Sequence, residues 1–237
     1  DIEAVTISTP DHTHAPATYS AISLGKHVYT QKPLTHDVHE SRILTQAAEK
    51  AGIVSQMGIQ HHSSARLKIA VQVIRDGAIG EVSEVHTWTD RPGTFWKQGL
   101  SRPESGEQVP NHVHWDLWLG TAPQRPYVNG MYHGFHWRVW WDFGTGALGD
   151  MACHTFNMPF AALNLRDPIS VQAVTSGHNG ESYPKWSKIH FVFPATKSRD
   201  AVDVFWYDGG KRPDASMVGK PLSSSGSLLV GSQGKIY

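Results

Sequence analysis

One cysteine, Cys153, stands among 237 residues, so the chain can form no disulfide within itself. No apolar run approaches the length of about 18 residues that a membrane-crossing helix needs. Charge of neither sign is in excess, with 21 Lys plus Arg against 21 Asp plus Glu and no basic run. The sequence therefore carries no electrostatic footprint for nucleic acid or an anionic membrane. Internal repeats and low-complexity tracts are missing too, which excludes solenoids and propellers. What is present is an ordinary globular composition, 39% hydrophobic, sufficient for one large domain or two small ones. Two residue types are over-supplied: 15 His and 9 Trp exceed what a core of this size needs. Both are common where polar, ring-shaped ligands are held.

The chain opens on a mostly apolar strand, IEAVTIS at 2–8, of the kind buried in a parallel sheet. Thr9, Pro10 and Asp11 break it, and a helix is expected from a Thr13 cap, with Pro16 in its first turn, Ala15, Tyr19 and Ile22 on one face, and Gly25 at its end. A short strand at 27–31 stops at Lys32-Pro33. Asp37 and Glu40 form a capping box for a helix striped by Ile43, Leu44, Ala47, Ala48 and Ala51 up to Gly52. A strand at 53–59 then leads to a helix with Leu67, Ala70, Val71 and Ile74 at helical spacing, closed by Gly77. This alternation predicts an α/β protein beginning with the C-terminal half of a doubly wound parallel sheet. After Gly80 the rhythm changes. A longer strand at 81–89, a loop at 91–110, a short helix at 111–119 and alternating strands beyond Asp167 predict an α+β domain with a mainly antiparallel open sheet. The division expected is 1–80 for a partial dinucleotide-binding (Rossmann) domain and 81–237 for a substrate-binding domain. In the sheet order 3-2-1-4-5-6 the first strand here reads as the fourth, so about 60 to 75 residues bearing the phosphate loop are expected before Asp1. Residues 227–237 read as a strand and turn entering another strand with nothing to pair it.

The stretch GTGALGDMACH, 144–154, admits two readings. Its first six residues match G-x-G-x-x-G, the loop that cradles a dinucleotide pyrophosphate, but that loop needs a buried aliphatic strand before it. HWRVWWDF precedes it instead. The alternative is a helix over 149–163, which places Asp150 and His154 one turn apart on one face. By itself, such a pair is most simply an exposed helix contact.

Three ordered motifs, TPDHTHAP (9–16), GKHVYTQKPL (25–34) and GDMACH (149–154), resemble the glucose-fructose oxidoreductase, inositol dehydrogenase and rhizopine-catabolism (Gfo/Idh/MocA) family of NAD(P)-dependent oxidoreductases. WDLWLGTAP and FHWRVWWDFGTGALGDM are similar to a bacterial subgroup. The resemblance implies a catalytic set of Lys32, Asp150 and His154, from the family's Glu-Lys-Pro and Asp-x-x-x-His motifs, with Gln31 standing where Glu is usual. His154 would be the base, since imidazole titrates near neutral pH. Asp150 would orient that ring or a neighbouring hydroxyl, and Lys32 would stabilise charge developing on the substrate oxygen. Cys153 next to His154 does not make a nucleophile pair, because adjacent helical residues face apart.

Cofactor contacts, to NAD or NADP, are expected from loops at the carboxyl ends of the first sheet: Thr9, Pro10 and His14, then Gln31 and Lys32, then Gln60. His14 has a bland alternative, a polar residue in a helix's first turn. Trp137, Arg138 and Trp141, with Trp140 between them, are the expected substrate contacts, since indoles cover sugar faces and Arg binds hydroxyls. Trp137 and Trp141 at helical spacing serve equally well as core. The pairs His12/His14, His61/His62, His112/His114 and His133/His136 lack a carboxylate or Cys at recognised ligand spacing, so no metal is expected. The resulting expectation is an oxidoreductase of a sugar or cyclitol, homo-oligomeric when full length, with no nucleic-acid or membrane partner. The rivals are an NAD-dependent glycoside hydrolase acting by transient oxidation and elimination, and a nucleotide-sensing regulator.

Overall fold

The strand–helix alternation of the first sixty residues folds as a three-stranded parallel sheet, and the strands after residue 80 build a second, mixed sheet of six. The computed structural model describes residues 1–237. In chain order the elements are β1 (Ala4–Ile7), α1 (Asp11–Ser23), β2 (His27–Gln31), α2 (Val38–Ala51), β3 (Ser55–Gly58), α3 (Ala65–Arg75) and β4 (Val82–Trp88). They continue with α4 (Trp115–Leu119), α5 (Gly146–Thr155), α6 (Asn157–Leu163), β5 (Ser170–Thr175), β6 (Ser187–Phe193), β7 (Val202–Tyr207), β8 (Gly226–Gly231) and β9 (Gly234–Ile236). Two compact units result. One comprises Asp1–Ile59, Gly99–Asp150 and Asn179–Tyr183, the other Gln60–Gln98, Met151–His178 and Pro184–Tyr237.

In the first unit β1, β2 and β3 pair in that order, with Ile7 beside Thr30 and Thr30 beside Met57. Two helices cover one face: Ala15, Ala21 and Ile22 of α1 and Leu44 of α2 pack with Val28. Burying side chains such as Ile22, Val28 and Leu44 contributes about 1.5–3 kcal/mol each. Asp37 caps α2 through a complete capping box, its Oδ1 accepting from Glu40 N at 2.9 Å, and Gly52 ends the helix at φ 63°. Helix α1 differs from expectation. It starts at Asp11 with Pro10 at the cap, so Pro16 falls in the second turn. Pro16 has no N–H for the His12 carbonyl four residues back; the Thr121 hydroxyl donates to that carbonyl instead, at 3.4 Å. Tyr19, expected inward, is 48% exposed.

The rest of this unit is an aromatic assembly. Trp115 stacks on Trp118, Trp118 meets Phe143 edge-on, and the Arg125 guanidinium lies 4.5 Å over the Phe143 ring while pairing with Asp142. Its effect is local: Phe143 is fully buried, and its carbonyl accepts from His12 N at 3.2 Å, tying the approach to α5 to the start of α1.

The second unit carries the sheet β5-β6-β7-β4-β8-β9, in which β4 and β7 run parallel and the other neighbours antiparallel. One face packs on α3 and α6 through Ile74, Val85, Leu165, Val204 and Leu229. On the other, His190, Phe205 and His86 stack in a row, centroids 4.5 and 5.1 Å apart. Two expectations are corrected here. The single helix over 149–163 is two, α5 and α6, broken at Phe156. Pro159 cannot donate to the Thr155 carbonyl, and the Ser227 hydroxyl donates there. The terminal segment is not unpaired: β8 pairs with β4, and β9 folds back on β8 through the Ser232-Gln233 turn.

Candidate active site

Parallel strands deliver their carboxyl ends to one side of a sheet, so the loops after β1 and β2 emerge together. Thr9 and Pro10 follow the first and Gln31 to Leu34 the second. Lys32 reaches from its loop to the start of α5: Nζ donates to the Asp150 carbonyl oxygen at 2.6 Å and to Asp150 Oδ1 at 2.7 Å. Arg138 Nε donates to the same Oδ1 at 3.3 Å. The Lys32 and Asp150 side chains are each 12% exposed. Burial alone would raise the Asp150 carboxyl, but the Lys32 ammonium, with Arg138 behind it, holds it below the ordinary carboxylate range. Gln31 uses its amide oxygen locally, accepting from Lys32 N at 2.9 Å. Either Gln or Glu can do this, but Gln adds no charge beside the ammonium.

A second carboxylate, not singled out from the sequence, lies close to these charges. Asp11, at the first position of α1, is 3% exposed and accepts from the Thr145 hydroxyl at 2.7 Å. Burial pushes its carboxyl up, opposed by Thr145 and then by the charges of His14, Arg138 and Lys32. The motif TPDHTHAP contained the signal, an acid three residues before a His on one helix. His14 is buried, with Nδ1 2.7 Å from the Pro33 carbonyl oxygen and Nε2 2.7 Å from that of Thr9. Its nitrogens therefore engage the chain itself.

The glycines of GTGALG have reasons within the protein. No strand precedes them; residues 136–139 form a 3-10 turn. A Cβ on Gly144 would lie 2.5 Å from the Arg138 Cα, one on Gly146, at φ 63°, 2.6 Å from the Tyr183 ring, and one on Gly149 2.2 Å from the Thr145 side chain. The Gly144 carbonyl accepts from Tyr183 Oη and His36 Nε2, both at 3.1 Å. The segment is a tightly gripped helix entry that aims Asp150, which is the answer to the double reading of 144–154.

The Trp cluster divides. Trp140 is fully buried, its indole N–H donating to the Met131 carbonyl oxygen at 2.9 Å. Trp137 is also buried and supports the Arg138 guanidinium 4.2 Å above its ring. Trp141 is 43% exposed and stacks on Tyr183 at 4.8 Å. In the second unit, His154 follows Asp150 by one turn along α5, and its ring lies 4.7 Å from that of His61. His61 belongs to the 3-10 turn Gln60–Ser63 that Gln60 begins, and His62 Nδ1 contacts Asn157 Oδ1 at 2.9 Å.

Residues 1–59 match the oxidoreductase family's NAD-binding Rossmann fold, and residues 65–222 match its C-terminal alpha/beta domain. The chain belongs to the Gfo/Idh/MocA oxidoreductase family. It is 27% identical over 158 residues to levoglucosan dehydrogenase of Pseudarthrobacter phenanthrenivorans, covering 67% of this chain and 32% of the relative. It is 26% identical over 119 residues to 2,7-anhydro-N-acetylneuraminate hydratase of Mediterraneibacter gnavus, covering 48% and 31%. Thus it spans about a third of the length of these relatives. Among solved structures, an inositol dehydrogenase homologue from Azotobacter vinelandii, complexed with NADH and myo-inositol, shares the fold at a TM-score of 0.60 and 17% identity, over 99% of this chain and 50% of that one.

Proposed function

We propose that this family member is an NAD(P)-dependent dehydrogenase acting on a secondary hydroxyl of a sugar or cyclitol, with residues 1–80 on the cofactor side and 81–237 on the substrate side. The observation that carries the reading is the Lys32–Asp150 pair, which holds an ammonium at the carboxyl end of a parallel strand with little water around it. The loops at 9–10 and 31–34 suit the nicotinamide end of a dinucleotide, because they close the side of the sheet where such a group lies. When bound, that group supplies the hydride acceptor.

The chain's own residues do the rest. Lys32 directs two of its three N–H bonds to Asp150, and the third remains for a substrate oxygen. Asp150 keeps Lys32 charged and fixed, and the ammonium stabilises negative charge that develops as the hydroxyl proton leaves. His154 takes that proton on its imidazole. Arg138 and Trp141 contact the sugar, while Trp137 supports Arg138 from below. Thr9, Pro10, Gln31, Lys32 and Gln60 border the cofactor, and His14 shapes their loops. The small-molecule partner is a sugar or cyclitol, and the assembled enzyme is a homo-oligomer.

A second reading, transient oxidation followed by elimination, is favoured by the relative named as a hydratase. Cofactor turnover separates the two. Sugars and cyclitols are screened with the complete protein and each oxidised nucleotide, following reduced-nucleotide absorbance. A dehydrogenase accumulates reduced nucleotide in step with product; product formed without net reduction would reject the dehydrogenase in favour of the second reading.

A further inference from the structure

The ring of His14 touches two acceptors and no donor. Its Nδ1 is 2.7 Å from the Pro33 carbonyl oxygen and its Nε2 is 2.7 Å from the Thr9 carbonyl oxygen. A carbonyl oxygen only accepts, whereas a neutral imidazole has one N–H and one lone pair. Either neutral tautomer would point that lone pair at an oxygen within hydrogen-bonding distance, and turning the ring over would set C–H groups where the two nitrogens lie, so that neither carbonyl would receive an N–H. The residue is 1% exposed, so solvent is not at hand to relieve it. Only a ring protonated at both nitrogens satisfies both carbonyls.

We propose that His14 is held as an imidazolium in the folded protein and serves as a positioning residue, clamping the loop after β1 to the loop after β2 so that Lys32 meets Asp150. Its counter-charge is Asp11, one turn earlier on α1 and itself buried. The other charged groups around Asp11 are Arg138, from the 3-10 turn at 136–139, and Lys32, from the loop after β2. Asp150, at the start of α5, faces Lys32 and Arg138. With His14 charged, the cluster holds three cations, Lys32, Arg138 and His14, against the two carboxylates Asp11 and Asp150. That surplus of one positive charge favours an oxyanion over a neutral hydroxyl. Pro33 directly follows Lys32, so the clamp acts on Lys32 through a single peptide link.

The charge and the positioning are tested separately. With 15N-labelled histidine in the complete protein, long-range proton–nitrogen spectra at neutral and mildly alkaline pH report the protonation of each ring nitrogen, and His14 is assigned through its own backbone. Both nitrogens are expected in the protonated range. One nitrogen in the unprotonated range overturns the proposal, and no variant has to fold for that measurement. The positioning role rests on the reading of Lys32 above. For it, His14→Gln is expected to lower kcat about 10- to 100-fold while KM for the nucleotide changes little. A fall confined to KM would refute positioning. If no sugar or cyclitol ever reduces the nucleotide, the proposed reaction fails while the protonation state read from the His14 nitrogens stands.

Discussion

Replacing Lys32 with methionine keeps the unbranched stem as far as the ε position and removes the ammonium from Asp150. At the 2.7 Å separation, the gross attraction is about 6 kcal/mol for an effective dielectric of about 20. Desolvation of the two ions offsets most of it, so the net worth of the pair is small. Removing one partner is a different perturbation, because it leaves a carboxylate that is 12% exposed with its main cation gone. Breaking fully buried pairs in this way costs about 3–5 kcal/mol. Arg138 stays at 3.3 Å, which brings the expected loss to about 2–3 kcal/mol. The pH dependence has a definite sign. Lys32 and Arg138 hold Asp150 below its ordinary range, so its contribution is present above that range and is lost as pH falls through the lowered folded value. Lys32→Met removes most of the depression, so its deficit against the parent should be largest at neutral pH and shrink below about pH 4. Urea unfolding of both proteins at neutral and acidic pH measures this. Lys32→Met with Asp150→Asn should recover at least half the loss, since no charge is then left unpaired. A neutral-pH deficit under about 0.5 kcal/mol, the range of an exposed pair, or an equal deficit at both pH values, would refute the reasoning.

His154→Ala in the complete enzyme should lower kcat roughly 100-fold or more with modest change in KM, as for loss of a general base; an unchanged rate would remove His154 from the mechanism. Hydride transfer to nicotinamide needs no metal, so activity should survive exhaustive chelation, and loss restored by added zinc would instead assign the His pairs a metal role. Gly146→Ala places a Cβ 2.6 Å from the Tyr183 ring at φ 63° and should cost about 1–3 kcal/mol of stability. If that glycine served a phosphate instead, thermal melts would be unchanged and nucleotide affinity would fall.

What the sequence disclosed depended on how far apart the interacting groups lie along it. The capping box of Asp37 and Glu40 spans three residues, and α2 with its Gly52 terminus was legible outright. Strand β2 was legible for the same reason, since Lys32-Pro33 stops it locally. The α5–α6 break was missed: Pro159 lies inside the segment read as one helix, and the break also depends on the Ser227 hydroxyl, which takes over the Thr155 carbonyl from 72 residues away. The terminal hairpin read as unpaired because its partner, β4, lies far upstream. The candidate site is the extreme case. Lys32 and Asp150 are 118 residues apart, a distance no periodicity reaches, and only family resemblance joined them. Arg138 was expected at the sugar, but its carboxylate partner Asp150, 12 residues away, was not foreseen. His14 was legible as a polar residue at the head of a helix. Its two carbonyl contacts depend on the paths of two loops, one of them 19 residues away. A clamp of this kind has no sequence signature because its acceptors are backbone atoms, which every residue carries; only the fold selects which two of them the ring must bridge, and hence whether it needs one proton or two.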